Sequence, residues 1–217
     1  VPDPAAAVTG FVEFDSRKVT PGGLFLALPG ARVDGHDFAE KAVESGAVAV
    51  LAARPVGVPA IVVEPTGKVE GDGANADIYA NDEDGSAAAV IQALSALARA
   101  VTQRLAAEDG LNIVGVTGSA GKTSTKDLIA TIFRAAGETV APPGSFNNEV
   151  GLPYTALRCD EHTEYLVAEM SARGIGHIRH LTGITAPKVG VVLNVGTAHL
   201  GEFGSRENIA LAKGELV

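Results

Sequence analysis

A single cysteine, Cys159, stands in 217 residues, so no intrachain disulfide can form. That fits a reducing compartment. Basic residues are the minority: 17 Lys and Arg against 26 Asp and Glu, for a net charge of −9. The balance argues against broad nucleic-acid binding, which rests on phosphate neutralisation by Lys and Arg. It leaves room for a local basic pocket that takes a small anion. No apolar run is long enough to span a membrane, no signal peptide is evident, and no repeat recurs at a fixed period. The expectation is a monomer in the cytoplasm. What is present suffices for a core: 46% of residues are apolar and 20% charged. The length suits one large or two small domains.

The richest stretch is Asn112 to Thr125, NIVGVTGSAGKTST. Ile113 to Val116 reads as a buried strand, followed by a glycine-bearing loop and a helical segment. That order builds a phosphate site. Backbone N–H groups of Thr117, Gly118, Ser119, Ala120, Gly121 and the helix start, Lys122 to Ser124, face an anion, and the glycines allow close approach. Lys122 neutralises β/γ-phosphate charge, and the Thr123 hydroxyl holds Mg²⁺. The strict pattern G-x-x-x-x-G-K-[ST] needs glycine at 116, where this chain has Val116. The ordinary alternative is a strand-to-helix turn with a surface lysine. A guanine-reading N-K-x-D run, which a GTPase switch would need, is missing.

Before this stretch the pattern is a small α/β unit. Apolar strands are expected at Phe11 to Phe14, Leu24 to Leu28, Ala47 to Leu51 and Ala60 to Val63, with a helix from Ala39 to Ser45 stopped by Gly46. Ser16, Arg17, Asp34, His36 and Asp37 gather at loop ends. An Arg beside a Ser after a strand can hold a phosphate or carboxylate; loop capping explains the same residues. Residues 64–85 read as a linker, placing domains at 1–82 and 83–217.

In the second domain Ser86 is expected to cap a helix running to about Ala107, with Val90, Leu94, Leu97, Val101 and Leu105 as its apolar stripe. Leu128, Ile129, Ile132 and Phe133 are expected to give the helix after the phosphate loop its buried face. Glu138 to Ala141 is a short strand. Residues 142–153 are rich in turn formers and carry Asn147 and Asn148, which suit either a polar ligand or a plain turn. Tyr165 to Ala168 is a strand ending at Glu169, the place of the acidic Mg²⁺ residue in phosphate-loop enzymes. Val189 to Leu193 leads to His199. In open α/β sheets ligands sit beyond the carboxyl ends of strands, where Glu169, His199 and the phosphate loop all fall. Ser205 caps a last helix on which Lys213 reads as a solvated charge.

Taken together these motifs resemble the Mur ligases, whose phosphate loop also lacks the first glycine. The resemblance is carried by Thr117 to Thr123, Asp15-Ser-Arg17, Pro21 to Leu28, Gly30-x-x-x-Asp34-Gly-His36, Phe146 to Pro153, Asn194-x-x-x-Ala-His199, Gly204-Ser205 and Ala212 to Glu215. It implies an α/β fold: a small uridine-nucleotide domain, then a phosphate-loop ATP-binding domain that is incomplete, with the family's C-terminal domain absent. Within the family it points to members that join D-alanyl-D-alanine to a UDP-N-acetylmuramoyl-tripeptide through an acyl phosphate, using ATP and Mg²⁺. It implies that Glu169 and His199 bind a second Mg²⁺, and that Lys213 matches a lysine carbamylated in some members. Asn147 and Asn148 would line the muramoyl-peptide site, and Ser16, Arg17, Asp34 and His36 would contact UDP. It implies further that this chain alone does not ligate. Three alternatives stay open: a member that adds a diamino acid to the dipeptide, a folylpolyglutamate-synthase-type ligase, and a non-catalytic nucleotide-binding module.

Overall fold

The computed structural model of the chain describes residues 6–30, 33–68, 76–79 and 82–217. Parts of the expected linker, 69–75 and 80–81, lie outside the described residues, as do Ala31 and Arg32. Packing divides the chain into two units, with the boundary between Ala93 and Leu94, inside one long helix.

The first unit is a four-stranded parallel sheet in sequential order: β1 (Val12–Glu13), β2 (Leu24–Leu26), β3 (Ala49–Ala52) and β4 (Ala60–Val62). A 3-10 turn (Gly35–Phe38) and helix α1 (Ala39–Glu44) cross between β2 and β3. Phe25, Ala27, Ala39, Ala42, Val50 and Ala52 form its core. Gly46 ends α1 at φ 112°, where a side chain would be strained. Gly35 lies against Leu28: a Cβ there would stand 2.5 Å from the Leu28 carbonyl oxygen. Residues 76–79 form one helical turn, α2 (Ala76–Tyr79), within the stretch read as linker.

Helix α3 (Ser86–Glu108) spans the boundary. Its N-terminus is capped by acids rather than by Ser86, which is already helical. The Asp82 carboxylate accepts from the N–H groups of Ala87 and Ala88, and Asp84 accepts from Ser86. Charged acceptors satisfy orphan N–H groups and suit the positive helix end. The buried stripe is Val90, Leu94, Ala98, Thr102 and Leu105. Leu97 turns to solvent, and Thr102 takes an inward place by donating to the carbonyls of Ala98 and Ile184.

The second sheet is also parallel, in the order β6 (Thr139–Val140), β7 (Tyr165–Glu169), β5 (Asn112–Thr117), β8 (Val189–Val192). Around it lie α4 (Lys122–Arg134), α5 (Gly151–Ala156), α6 (His177–Thr185), α7 (Leu200–Phe203) and α8 (Arg206–Gly214). Observed strands agree with expectation to within two residues at each end. Helices α5 and α6 were not expected. Pro153 lies in the first turn of α5, where no helical N–H bond is required of it. Helix α4 is rotated from the expected face. Leu128 and Ile132 are 65% and 67% exposed, while Ile129 and Phe133 pack on Val114, Val116 and Val167. The inward places one turn apart belong to Lys126 and Ala130.

Candidate functional site

Register builds the site. In the ladder Val116 lies beside Glu169 on one side, and Thr117 beside Val192 on the other. The order β7-β5-β8 therefore brings three carboxyl ends together at the phosphate loop, the topological switch point where such sheets bind ligands. A cavity of about 350 Å³ opens there, lined by Gly121, Lys122, Thr123, Ser124, Ser145, Asn147 and Glu169. Helix α4 starts at its wall. Gly121 holds φ 81°, and no side chain caps the helix. The N–H groups of Lys122, Thr123 and Ser124 are the orphan donors of that first turn and are available to an anion. Lys122 Nζ donates to the Gly118 carbonyl at 2.8 Å.

Two of the loop amides N-terminal to these are already used. Ser119 and Ala120 donate their N–H groups to Asn194 Oδ1, both at 3.1 Å, and Asn194 Nδ2 donates back to the Ala120 carbonyl. Ser119 Oγ accepts from Gly196 N–H. Ser119 and Ala120 thus brace the loop, while, among the described residues, the N–H groups at the start of α4 keep no protein partner of their own. Gly118 runs close under β8, where a Cβ would be 3.0 Å from Leu193 Cβ. Asn194 is a residue the sequence reading quoted only as part of a motif. An asparagine just after a strand whose end abuts the phosphate loop is the signal that would have marked it.

Glu169 is 1% exposed. Its Oε1 accepts from Asn147 Nδ2 at 2.7 Å, while Oε2 is buried without a protein partner. The Thr117 hydroxyl is likewise buried and unpaired. Asn147 is itself engaged within the fold: Ser171 Oγ donates to its Oδ1 and Ser171 N–H to its carbonyl. Asn148 Oδ1 accepts from Val150 and Gly151 and so caps α5. Asn147 thus orients Glu169, and Asn148 starts a helix.

In the first unit the loop polar residues form their own network. Arg17 grips Asp15 through Nε and Nη2, both at 2.8 Å, although Arg17 is 79% exposed. The Arg17 guanidinium holds the Asp15 carboxyl down at about 2. Asp34 Oδ1 takes the N–H and Nδ1 of His36, and Arg54 reaches Asp34 Oδ2 at 3.0 Å. Partial burial works against the Asp34 anion, but the His36 and Arg54 hydrogen bonds prevail and hold it at about 2. His36 Nε2 accepts from Ala53 N–H, so the ring proton sits on Nδ1 and both nitrogens are occupied. His36 and Ser16 are both buried.

Comparison with known proteins places this geometry. Residues 9–108 match the model of the Mur ligase family, catalytic domain, and residues 116–217 match the Mur ligase middle domain. The chain belongs to the Mur ligase family. UDP-N-acetylmuramoyl-tripeptide–D-alanyl-D-alanine ligase of Mycobacterium leprae is 64% identical over 209 residues, covering 96% of this chain and 40% of that protein. The ligase of the same name from Mycobacterium tuberculosis is 62% identical over the same share. Among solved structures, MurF from Acinetobacter baumannii superposes with TM-score 0.74 at 32% identity, over 94% of this chain and 40% of that one. MurF ligase from Thermotoga maritima, solved in complex with ADP, gives TM-score 0.73 at 35% identity, over 97% of this chain and 43% of that one. This Mur ligase chain spans about two fifths of the length of these relatives.

Two further residues of this Mur ligase chain sit apart from the cavity lining. His199 adopts a left-handed backbone, φ 62° and ψ 23°, at the start of α7, and its Nδ1 lies 2.6 Å from Glu202 Oε2. A non-glycine residue held there marks a position fixed by its surroundings. Lys213, expected to be solvated, is 3% exposed. Burial, then the charge of Lys122, lowers its ammonium to about 8. Lys122 and Lys213 therefore share one electrostatic environment. Among the described residues no group of three or more His, Cys, Asp and Glu side chains gathers to hold a metal, and no helix is long and apolar enough to cross a membrane.

A stability consequence follows from Lys213. Its folded value, about 8, lies below the ordinary 10.5. Below pH 8 both states carry the proton and the folded state bears the full cost of a buried charge. From pH 8 to 10.5 the folded chain has lost the proton that the unfolded chain keeps, so stability rises. Lys213→Met is expected to stabilise by up to about 3 kcal/mol below pH 8, with the gain fading above it. Thermal melts of both chains from pH 6 to 10 measure this; a pH-independent difference would contradict it.

Proposed function

We propose that this chain supplies the nucleotide-binding and muramoyl-substrate parts of an ATP-dependent ligase. The ligase joins D-alanyl-D-alanine to a UDP-N-acetylmuramoyl-tripeptide in peptidoglycan precursor synthesis. Residues 1–82 serve as the uridine-nucleotide domain, through Ser16, Arg17, Asp34 and His36, and residues 83–217 as the ATP-binding part. The observation that carries the reading is the cavity shared by the N-terminus of α4, Lys122, Thr123 and Glu169. The names of the relatives, at 62–64% identity, support the substrate pair.

The chemistry suits the residues. A substrate carboxylate oxygen attacks the γ-phosphorus and ADP leaves. The amine of D-alanyl-D-alanine then attacks the acyl carbon, the C–N bond forms, phosphate departs and the ammonium proton is released. Two anions must meet in the first step, so cationic charge is required where they meet. Lys122 provides it at the β/γ-phosphates, and the α4 N–H groups hold the phosphate oxygens. Glu169 Oε2 is a buried carboxylate oxygen without a protein partner at the cavity, a hard donor that fits Mg²⁺. Thr123 would hold one ion at the phosphates, and Glu169, His199 and Lys213, the last as a carbamate, would hold a second. A lysine with its amine near 8 has the free-base fraction that reaction with CO₂ needs. When bound, Mg²⁺ neutralises phosphate charge.

Calorimetry on the chain tests the reading. Mg–ATP and UDP-N-acetylmuramoyl-tripeptide should each bind, the tripeptide nucleotide more tightly than the dipeptide one. Preference for the dipeptide nucleotide would favour a diamino-acid-adding ligase, and binding of neither ligand would end the proposal.

A further inference from the structure

Lys126 is one turn beyond Lys122 on α4 and is fully buried, at 0% exposure. Residues four apart share a helix face, but the two lysines do different work. Lys122 borders the cavity. Lys126 Nζ points beneath it, donating to the carbonyls of Pro142 at 2.7 Å and Gly144 at 3.1 Å, with Asp127 Oδ1 at 2.6 Å. An ammonium has three N–H donors, and these three acceptors use them all. Burying a lysine is costly unless it is fully partnered, and an apolar side chain would fill the same place without that cost. The carbonyls it holds are therefore the point of interest.

Among the described residues, the backbone of 142–146 makes no hydrogen bond other than these two. Residues 142–146 thus have Lys126 as their polar anchor, and Ser171 holds Asn147 just beyond them. The segment between β6 and α5 delivers Ser145 and Asn147 to the cavity wall, and Asn147 Nδ2 reaches Glu169 Oε1. We propose that Lys126 is a positioning residue, tying the phosphate-binding helix to the 142–148 segment so that Asn147 holds Glu169 in place. The nucleotide part of this inference rests on the proposed function; the tie itself does not.

Two readouts separate the parts. The first is hydrogen exchange of the Asn147 side-chain amide by NMR. In the unaltered chain it should exchange at least tenfold more slowly than an exposed carboxamide, and in Lys126→Met that protection should be lost. The second is the ratio of affinities for Mg–ATP and metal-free ATP. It should fall about tenfold in Lys126→Met and in Asn147→Ala, and in Lys126→Met metal-free ATP binding should change less than twofold. A purely structural lysine would lower the melting temperature and leave the ratio alone. Should Lys126→Met not fold, Lys126→Gln is judged by the same criteria. Fast Asn147 exchange in the unaltered chain, or a folded Lys126 variant with both readouts unchanged, overturns the proposal. If the unaltered chain binds no ATP, the functional reading fails while the exchange experiment still decides the tie.

Discussion

Lys122→Met is expected to weaken Mg–ATP binding by the chain roughly 30- to 300-fold while leaving it folded. The loss corresponds to about 2–3.5 kcal/mol, the range for removing one charged donor from a preorganised anion site. Lys122 is only half-buried, and its single protein bond is to the Gly118 carbonyl, so methionine leaves little behind that is unpaired. The α4 N–H groups remain, so some affinity should persist. A second readout accompanies the first. The positive charge of Lys122 helps push the Lys213 ammonium down. Removing that charge should bring Lys213 back toward its ordinary range and shrink the pH dependence described for Lys213→Met. Titration calorimetry and melting curves give both quantities. Binding within threefold of the unaltered chain would remove Lys122 from the phosphate site.

Glu169→Gln is expected to move two properties in opposite directions. Glu169 Oε2 is buried and has no protein partner. A neutral carboxamide in that place relieves the desolvation of an ionised oxygen, and its Oε1 still accepts from Asn147. Thermal stability should rise, by about 1–2 kcal/mol. The same change removes an anionic metal ligand, so the advantage of Mg–ATP over metal-free ATP should shrink at least tenfold. A site that costs stability and serves binding behaves in this way. Lower stability together with unchanged metal preference would show that the carboxylate has only a packing role.

How far the sequence reached depends on how local each signal was. The strands were legible because each is a short apolar run closed by turn residues. The phosphate loop was legible because Gly121, Lys122 and Thr123 are adjacent in the chain. Ser205 could be read as a cap because its bond to Asn208 spans three residues. Asn194 could not, since its partners lie 74 and 75 positions away. Lys126 misled the helix reading for a related reason. Periodicity assigns buried places to apolar residues, so Leu128 and Ile132 were turned inward on paper. A lysine whose partners lie 16 and 18 positions on took the inward place. That both ring nitrogens of His36 have partners within the fold was equally out of reach, because Ala53, which donates to Nε2, lies 17 positions on. Helices α5 and α6 escaped because glycine, proline and β-branched residues depress helix propensity, which packing against the sheet overrides.

The brace between Ser119–Ala120 and Asn194–Gly196 has a consequence for how nucleotide binding is driven. Glycine-bearing loops have the most backbone freedom to lose, about 1–2 kcal/mol per residue when ordered. Here that ordering accompanies folding, since β8 brings Asn194 to the loop before any ligand arrives. The association step then has little chain motion left to arrest. Its rate is governed by diffusion and electrostatic attraction, and its heat-capacity change by the surface the nucleotide covers rather than by residues that fold around it.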